Sequence, residues 1–286
     1  VLGSRGLGDV YKRQELNQLG YGQEYQIKYT LEPVDATASL LTWASDNPEV
    51  ISVDKTGKLK VHTTKTASAV ITASYGPVVQ NVTVTVADGR FWYSLGNGLG
   101  NGLDNNWYLD GNNASVVSSD GNKTTVQMGS GYRGDLWLAR SGKGKIVNVT
   151  PADYRYFAIK VGFKSQLVPG KNKPNGCIKL EIFDDGIKKI GPEYFGTGGD
   201  ANNRYEILGA SEISTTEPNV LYYDLQSKYK TVTPTDWNQV FDLVQCKFVI
   251  ADFPETAQTY DLYWIRSFKS IEELQAFVDS ENNTNE

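Results

Sequence analysis

Three short clusters in this chain set an aromatic ring beside amides, carboxylates or a guanidinium: Asp104-Asn105-Asn106-Trp107-Tyr108, Tyr132-Arg133-Gly134-Asp135-Leu136-Trp137 and Asp200-Ala201-Asn202-Asn203-Arg204-Tyr205. That mixture suits saccharides. Their apolar C–H faces stack on Trp or Tyr, while their hydroxyls exchange hydrogen bonds with Asn, Asp and Arg. The candidate ligand-binding residues are therefore Asn106, Trp107, Tyr108, Tyr132, Arg133, Asp135, Trp137, Asn202, Arg204 and Tyr205. Trp237, in the loop Pro234-Thr235-Asp236-Trp237-Asn238, joins them. Trp107 alternates with Leu109, which also suits a core position, and Trp43 and Trp264 are expected in cores.

Catalytic chemistry finds less to work with. A glycosidase needs two carboxylates about 5–9 Å apart across a cleft. The nearest approximation is Glu181 with Asp184 and Asp185. Glu181 and Asp184 differ in parity along an extended strand, and Asp185-Gly186 reads as a turn, so the group reads as a solvated strand end. Ser/His/Asp chemistry is disfavoured because the single histidine, His62 between Val61 and Thr63, lies in the first domain and the aromatic clusters in the second. A lone His without a Cys or His cluster also makes a poor metal centre. No catalytic residue, metal ligand or cofactor is expected; a structural Ca²⁺ on the aspartates has no contiguous ligand loop behind it.

Cys177 and Cys246 are the two thiols, in candidate strands 176–183 and 243–253. A bridge is open to an exported protein if their Cα atoms come within about 7 Å. Alternation places Cys177 with Lys179 and Glu181 but Cys246 with Phe248 and Ile250, which favours two separate thiols.

The composition narrows the partners. At 286 residues, 40% apolar and 21% charged, the chain can bury two ordinary cores. A net charge of −5 and a pI near 5.1 disfavour nucleic acid, whose phosphates would be repelled, and favour neutral over acidic glycans. No apolar run approaches the ~18 residues that a membrane helix needs. Seventeen Tyr, six Trp and 28 Gly against one Met are the bias of a β-rich binding scaffold.

The elements that must position these residues fall into two regions. In 15–88, Tyr25, Ile27, Tyr29 and Leu31 alternate with polar residues, as do Val82, Val84 and Val86. The pattern changes at Ala87-Asp88-Gly89 to aromatic strands divided by long Gly/Asn loops, starting with Gly96-Asn97-Gly98-Leu99-Gly100-Asn101-Gly102. Strands are expected at 114–117, 124–128, 136–139, 154–163, 177–183, 205–208, 220–224, 244–252 and 260–268, which favours a two-sheet jelly roll. Ser270-Ile271-Glu272-Glu273 is a capping box opening a helix whose Ile271, Leu274, Phe277 and Val278 share one face. The polar stretch 280–286 is expected to fray.

Several segments carry resemblances. Residues 4–14, Ser-Arg-Gly-Leu-Gly-Asp-Val-Tyr-Lys-Arg-Gln, resemble a translated sequencing adapter, so 1–14 are set apart from the fold and any export signal or lipid-attachment Cys would lie upstream. The block from Leu41 to Leu59, with Trp43-Ala44-Ser45, Asn47-Pro48, Val50-Ile51-Ser52-Val53-Asp54 and Thr56-Gly57, resembles the bacterial immunoglobulin-like domain (group 2 type) of surface proteins. The turn before Ala69-Val70-Ile71-Thr72-Ala73 lacks that family's usual Gly. The family's first strand should also precede Gly20 to Gln23, so an edge strand is expected to be missing.

Tyr260-Asp261-Leu262-Tyr263-Trp264-Ile265-Arg266-Ser267-Phe268-Lys269-Ser270-Ile271-Glu272-Glu273-Leu274 follows Tyr222-Tyr223-Asp224-Leu225 and Val249-Ile250-Ala251-Asp252. Together they resemble an uncharacterised β-sandwich domain of surface glycan-utilisation proteins of Gram-negative bacteria, over roughly 90–278. No catalytic residue comes with that resemblance.

The expected fold is all-β: a truncated immunoglobulin-like sandwich (15–88), then a jelly-roll β-sandwich with a short C-terminal helix (89–279) and a tail (280–286). The expected function is a non-catalytic, cell-surface glycan-binding protein of a polysaccharide-utilisation system, on the extracellular face of the outer membrane or secreted. Its partner would be a polysaccharide or oligosaccharide, with a surface protein as a further partner. The alternatives are a structural or protein-interaction module of a surface assembly, or an accessory region of a larger glycoside hydrolase.

Overall fold

A computed structural model of the chain describes residues 16–31, 37–99, 107–110, 113–129, 134–140, 143–144, 147–164, 178–184, 205–226, 237–238, 240–250 and 259–283. The chain divides into two compact units between Trp92 and Tyr93.

The first unit carries β1 (Leu19–Tyr21), β2 (Glu24–Gln26), β3 (Thr42–Ser45), β4 (Ile51–Val53), β5 (Lys58–Val61), β6 (Ala67–Tyr75) and β7 (Val78–Ser94), whose last two residues belong to the second unit. One sheet runs β3-β6-β7-β1 and the other β2-β5-β4. Alternation along β6 and β7 turns Ala69, Ile71, Val84 and Val86 inward, where they meet Leu16, Leu19, Ile27, Ile51, Leu59 and Val61. β1 pairs in parallel with β7 through Leu19 opposite Val86 and Tyr21 opposite Phe91.

Trp43 packs against this core from its margin. It is half-buried, edge-on to Tyr29 at 5.5 Å, and it rests on the turn at Gly57. Only glycine fits there: φ is +82°, and a Cβ would come within 2.7 Å of the indole. Asp54 ties the same turn, its Oδ1 accepting the Thr56 N–H at 2.7 Å, the Thr56 hydroxyl at 2.6 Å and the Lys58 N–H at 3.0 Å.

The second unit adds β8 (Tyr108–Asp110), β9 (Ser115–Ser119), β10 (Thr124–Gln127), β11 (Asp135–Arg140), β12 (Lys143–Gly144), β13 (Val147–Val149), β14 (Tyr156–Phe163), β15 (Ile178–Asp184), β16 (Glu206–Ile207), β17 (Asn219–Asp224), β18 (Phe241–Ile250), β19 (Thr259–Phe268) and helix α1 (Ile271–Asn283). An upper sheet runs β9-β10-β19-β14-β17-β16, every pair antiparallel. In the lower sheet β18 pairs with β15 along one edge and with β11 and β13 along the other, and β11 also carries β8 and β12.

The two sheets face each other as a sandwich. Phe248 of β18 lies 5.7 Å from Phe157 of β14 and 6.0 Å from Tyr223 of β17, ring to ring across the interior. Leu136, Leu138, Leu180, Ile159, Val161, Leu221 and Leu262 fill it, each wholly inaccessible. Burial on this scale contributes about 25 cal/mol per Å² of apolar surface, and it fixes which face of every strand looks outward. Cys246 is a free thiol buried in this interior, and Cys177 lies outside the described residues.

The C-terminal helix differs from expectation at both ends. The Ser270 hydroxyl accepts the Glu273 N–H at 3.2 Å, but the Glu273 carboxylate returns to the N–H of Lys269, at 2.7 Å, rather than to that of Ser270. The stretch expected to fray from 280 is helical through Asn283. Its anchor is Glu281, which accepts the Trp264 Nε1–H and a proton of Lys160 Nζ, both at 3.1 Å.

Candidate functional site

Strand register brings together residues from two of the three aromatic clusters. In the lower sheet Trp137 of β11 lies opposite Tyr108 of β8 on one side and Lys247 of β18 on the other. Directly opposed residues have Cβ atoms about 4.5–5.5 Å apart, so the three side chains form one row across the strands. Leu136 and Leu138 point into the sandwich, which puts Asp135 and Trp137 on the outer face. There Lys247 Nζ sits 4.4 Å from the Trp137 ring centroid and 3.7 Å from Asp135 Oδ2.

A cation over an indole face is attracted by the ring's quadrupole, and the aspartate balances its charge. The result is an aromatic and polar strip around a paired cation and carboxylate, with Asp110 opposite Asp135 and Glu181 opposite Lys247 in the register. It is narrow: Trp137 is 8% exposed and Asp135 3%. Tyr108, at the sheet margin, is half-buried.

The other candidates fall elsewhere. Trp107 is wholly buried with its ring 6.0 Å from Phe248, so it is a core side chain that no sugar can reach; packing, which its alternation with Leu109 allowed, claims it. Trp237 is half-buried and edge-on to Phe241 at 6.4 Å, near the start of β18. At about 3.3 Å per residue, that puts Phe241 roughly 20 Å along the strand from Lys247. Tyr205 is half-buried and leads into β16, in the upper sheet. Asn106, Tyr132, Arg133, Asn202 and Arg204 lie outside the described residues. His62 is half-buried in the first unit, its Nε2 paired with the Ser52 hydroxyl at 2.8 Å.

A second polar cluster, on the outer face of the upper sheet, has no counterpart in the sequence analysis. Asp261, 2% exposed, accepts Lys123 Nζ at 2.8 Å and Lys164 Nζ at 3.2 Å on Oδ2, and the Thr125 hydroxyl at 2.7 Å on Oδ1. Burial pushes its carboxyl upward, but the hydrogen bonds from Lys123, Thr125 and Lys164 outweigh that and hold it below the usual aspartate range. The same bond to Asp261 raises Lys123 against the lowering effect of burial.

Half-buried Tyr263 stands beside this knot, its ring centroid 5.6 Å from Lys160 Nζ. Gly162 lies opposite Asp261 in the register and forms the floor between them. The participants come from 123–125, 160–164 and 261–263, so no local spacing announces them.

Among the described residues, no group of three His, Cys, Asp or Glu side chains is placed to hold a metal ion. No described helix is long and apolar enough to cross a membrane.

A family model described as "Domain of unknown function (DUF4979)" matches residues 98–274. No curated protein matches the chain. Among solved structures, domains 4 and 5 of the S-layer protein SbsC share 11% identity, with 77% of this chain and 84% of that one covered, at a TM-score of 0.21. The CBM51-2 and INT domains of Clostridium perfringens ZmpB share 12% identity over 88% of this chain and 47% of that one, at a TM-score of 0.20. Likeness at that level carries no argument about function.

Proposed function

We propose a function for a chain that belongs to the DUF4979 family, whose description assigns none: a non-catalytic module that binds a polysaccharide or oligosaccharide at a cell surface. The observation that supports it is the row on the lower sheet, where Trp137 stands between Tyr108 and the Lys247–Asp135 pair. An apolar sugar face laid on the exposed margin of Trp137 and Tyr108 would have a cation and a carboxylate beside it for its hydroxyls. Because that pair balances its own charge, a neutral glycan meets no repulsion there.

The same row suits binding better than hydrolysis. Asp135 is engaged by Lys247; Asp110 lies opposite Asp135 and Glu181 opposite Lys247 in the register, and hydrolysis would need two such carboxylates poised across a cleft, one of them as a general acid.

Affinity gels against neutral plant, yeast and host glycans, followed by calorimetry on Trp137→Ala, test the proposal. Binding weakened by at least roughly tenfold, or about 1.4 kcal/mol, with the fold intact is the expected result. If no glycan retards the wild-type chain, the proposal fails; reducing ends released with time would make the module an enzyme.

One observation favours a protein partner instead. All five residues of β9 are exposed, with Val116 at 41% and Val117 at 58%, on a strand that pairs only with β10 among the described residues. An uncharged, β-branched edge is a template for an added strand. Capture of a partner that Val117→Lys abolishes would support that reading.

A further inference from the structure

We propose that the second unit carries a second saccharide site on its opposite sheet, in which a neutral pyranose stacks on Tyr263 above Gly162 and takes hydrogen bonds from Lys123 and Lys164. The inference rests on the reading of this unit as a glycan-binding module, but it uses none of the residues of the Trp137 row.

The geometry is built from three strands. Register sets Thr125, Asp261 and Gly162 side by side across β10, β19 and β14. Asp261 fixes the two lysines by drawing both ammonium groups onto one oxygen, at 2.8 and 3.2 Å. An ammonium has three N–H donors, and one from each suffices for Asp261. The side chains remain 32% and 56% exposed, so a ligand on this face can reach them.

Gly162 provides the room. A Cβ built there would meet Asp261 Cβ at 3.4 Å and Tyr263 Cε2 at 3.6 Å, which is ordinary contact. The floor is therefore a shallow notch about one methyl deep beside Cε2 of the half-buried Tyr263 ring. A flat aromatic wall, a notch in front of it and donors held to one side match a sugar's apolar face and its ring of hydroxyls.

The charge balance selects the ligand class. Two lysines on one aspartate would by themselves favour an anion. However, Asp120 and Glu217 also act on this spot: burial first, and then Asp261, Asp120 and Glu217 together, push the Tyr263 hydroxyl up against the opposing pull of Lys123. Near-balance leaves hydrogen bonding and stacking, rather than field, to choose the ligand, and a neutral sugar fits both.

The experiment is calorimetry on the full chain with cello-, xylo-, manno- and laminari-hexaose as probes. It compares wild type with Tyr263→Ala, Tyr263→Phe, Gly162→Val and Trp137→Ala, each checked for an unchanged thermal transition. About two equivalents of one probe should bind the wild type, falling to about one in Tyr263→Ala and in Gly162→Val, with Tyr263→Phe retaining both. Gly162→Val fills the notch and leaves the Tyr263 ring in the chain, so its loss cannot be ascribed to a missing aromatic.

If Tyr263→Ala and Gly162→Val bind as the wild type does while Trp137→Ala does not, the second site is overturned and the first survives. The reverse pattern keeps this site and overturns the Trp137 row. Wild type that binds none of the four probes overturns both.

Discussion

Asp261 shows how one carboxylate can be both structural and tunable. It is almost fully buried, yet three donors hold it charged. Because its folded pKa lies below the unfolded value, the stability it contributes is present above the ordinary aspartate range near ~3.9 and is lost as pH falls through the lowered folded value. Asp261→Asn should therefore cost about 1–3 kcal/mol at neutral pH, and its difference from wild type should shrink below about pH 4. Chemical denaturation at a series of pH values checks this; a gap that stays constant down to pH 2 would mean that Asp261 is not the titrating group.

At this scale the sequence was partly legible. The adjacency of Tyr108 and Trp137 was not, because register depends on turns in poorly patterned loops, although each residue stands in a recognisable cluster of its own. Trp107 stands in the same kind of cluster and is core, since composition cannot distinguish a ring that packs from a ring that stacks. The Asp261 knot was invisible because its members are far apart along the chain.

Among the elements, the longer strands of the second unit were legible from alternation and from turn residues at their ends. The strands β8, β12 and β13 were missed, being only two or three residues long and held by pairing with β11 and β18 rather than by a pattern of their own. Helix α1 was legible at its cap and on its apolar face. Its last turn was not, because Ser280-Glu281-Asn282-Asn283 is polar and the contacts that order it lie on β14 and β19.

Phe277 packs edge-on to Trp264 at 5.5 Å and lies 5.7 Å from Phe268, with the Arg266 guanidinium 4.3 Å from its ring centroid. Phe277→Ala should cost about 2–3 kcal/mol for a half-buried ring. Glu281→Ala should cost less and act locally, raising amide exchange in residues 278–283 while the strands keep their protection. Faster exchange throughout β14 and β19 in Glu281→Ala would show that the helix end supports the whole sheet.

For the molecule as a whole, the division between Trp92 and Tyr93 places Arg90, Phe91 and Trp92 with the first unit. Tyr21 meets Phe91 edge-on at 6.0 Å and is opposite it in the β1–β7 pairing, so a fragment cut at the compositional boundary near residue 88 discards that contact. Two pieces, 15–88 and 15–94, should differ by roughly 1–2 kcal/mol in favour of the longer. Equal urea midpoints for the two would show that the strand end beyond residue 88 adds nothing to the first unit. The compositional change at Ala87-Asp88-Gly89 was legible; the continuation of β7 past it was not, because an Asp-Gly pair ordinarily signals a turn.

The buried thiol of Cys246 supplies this protein with a clock. Thiol reagents attack the thiolate, and burial both shields the sulfur and pushes its ionisation well above the ordinary cysteine value, so the folded unit should be nearly inert. In a Cys177→Ser background, the rate at which Cys246 is alkylated then counts the moments when the second unit opens. A bound sugar should slow that rate by about the factor 1 + [L]/Kd, whichever face it occupies. Alkylation as fast as that of a free cysteine would mean that the interior around Phe248 opens continually.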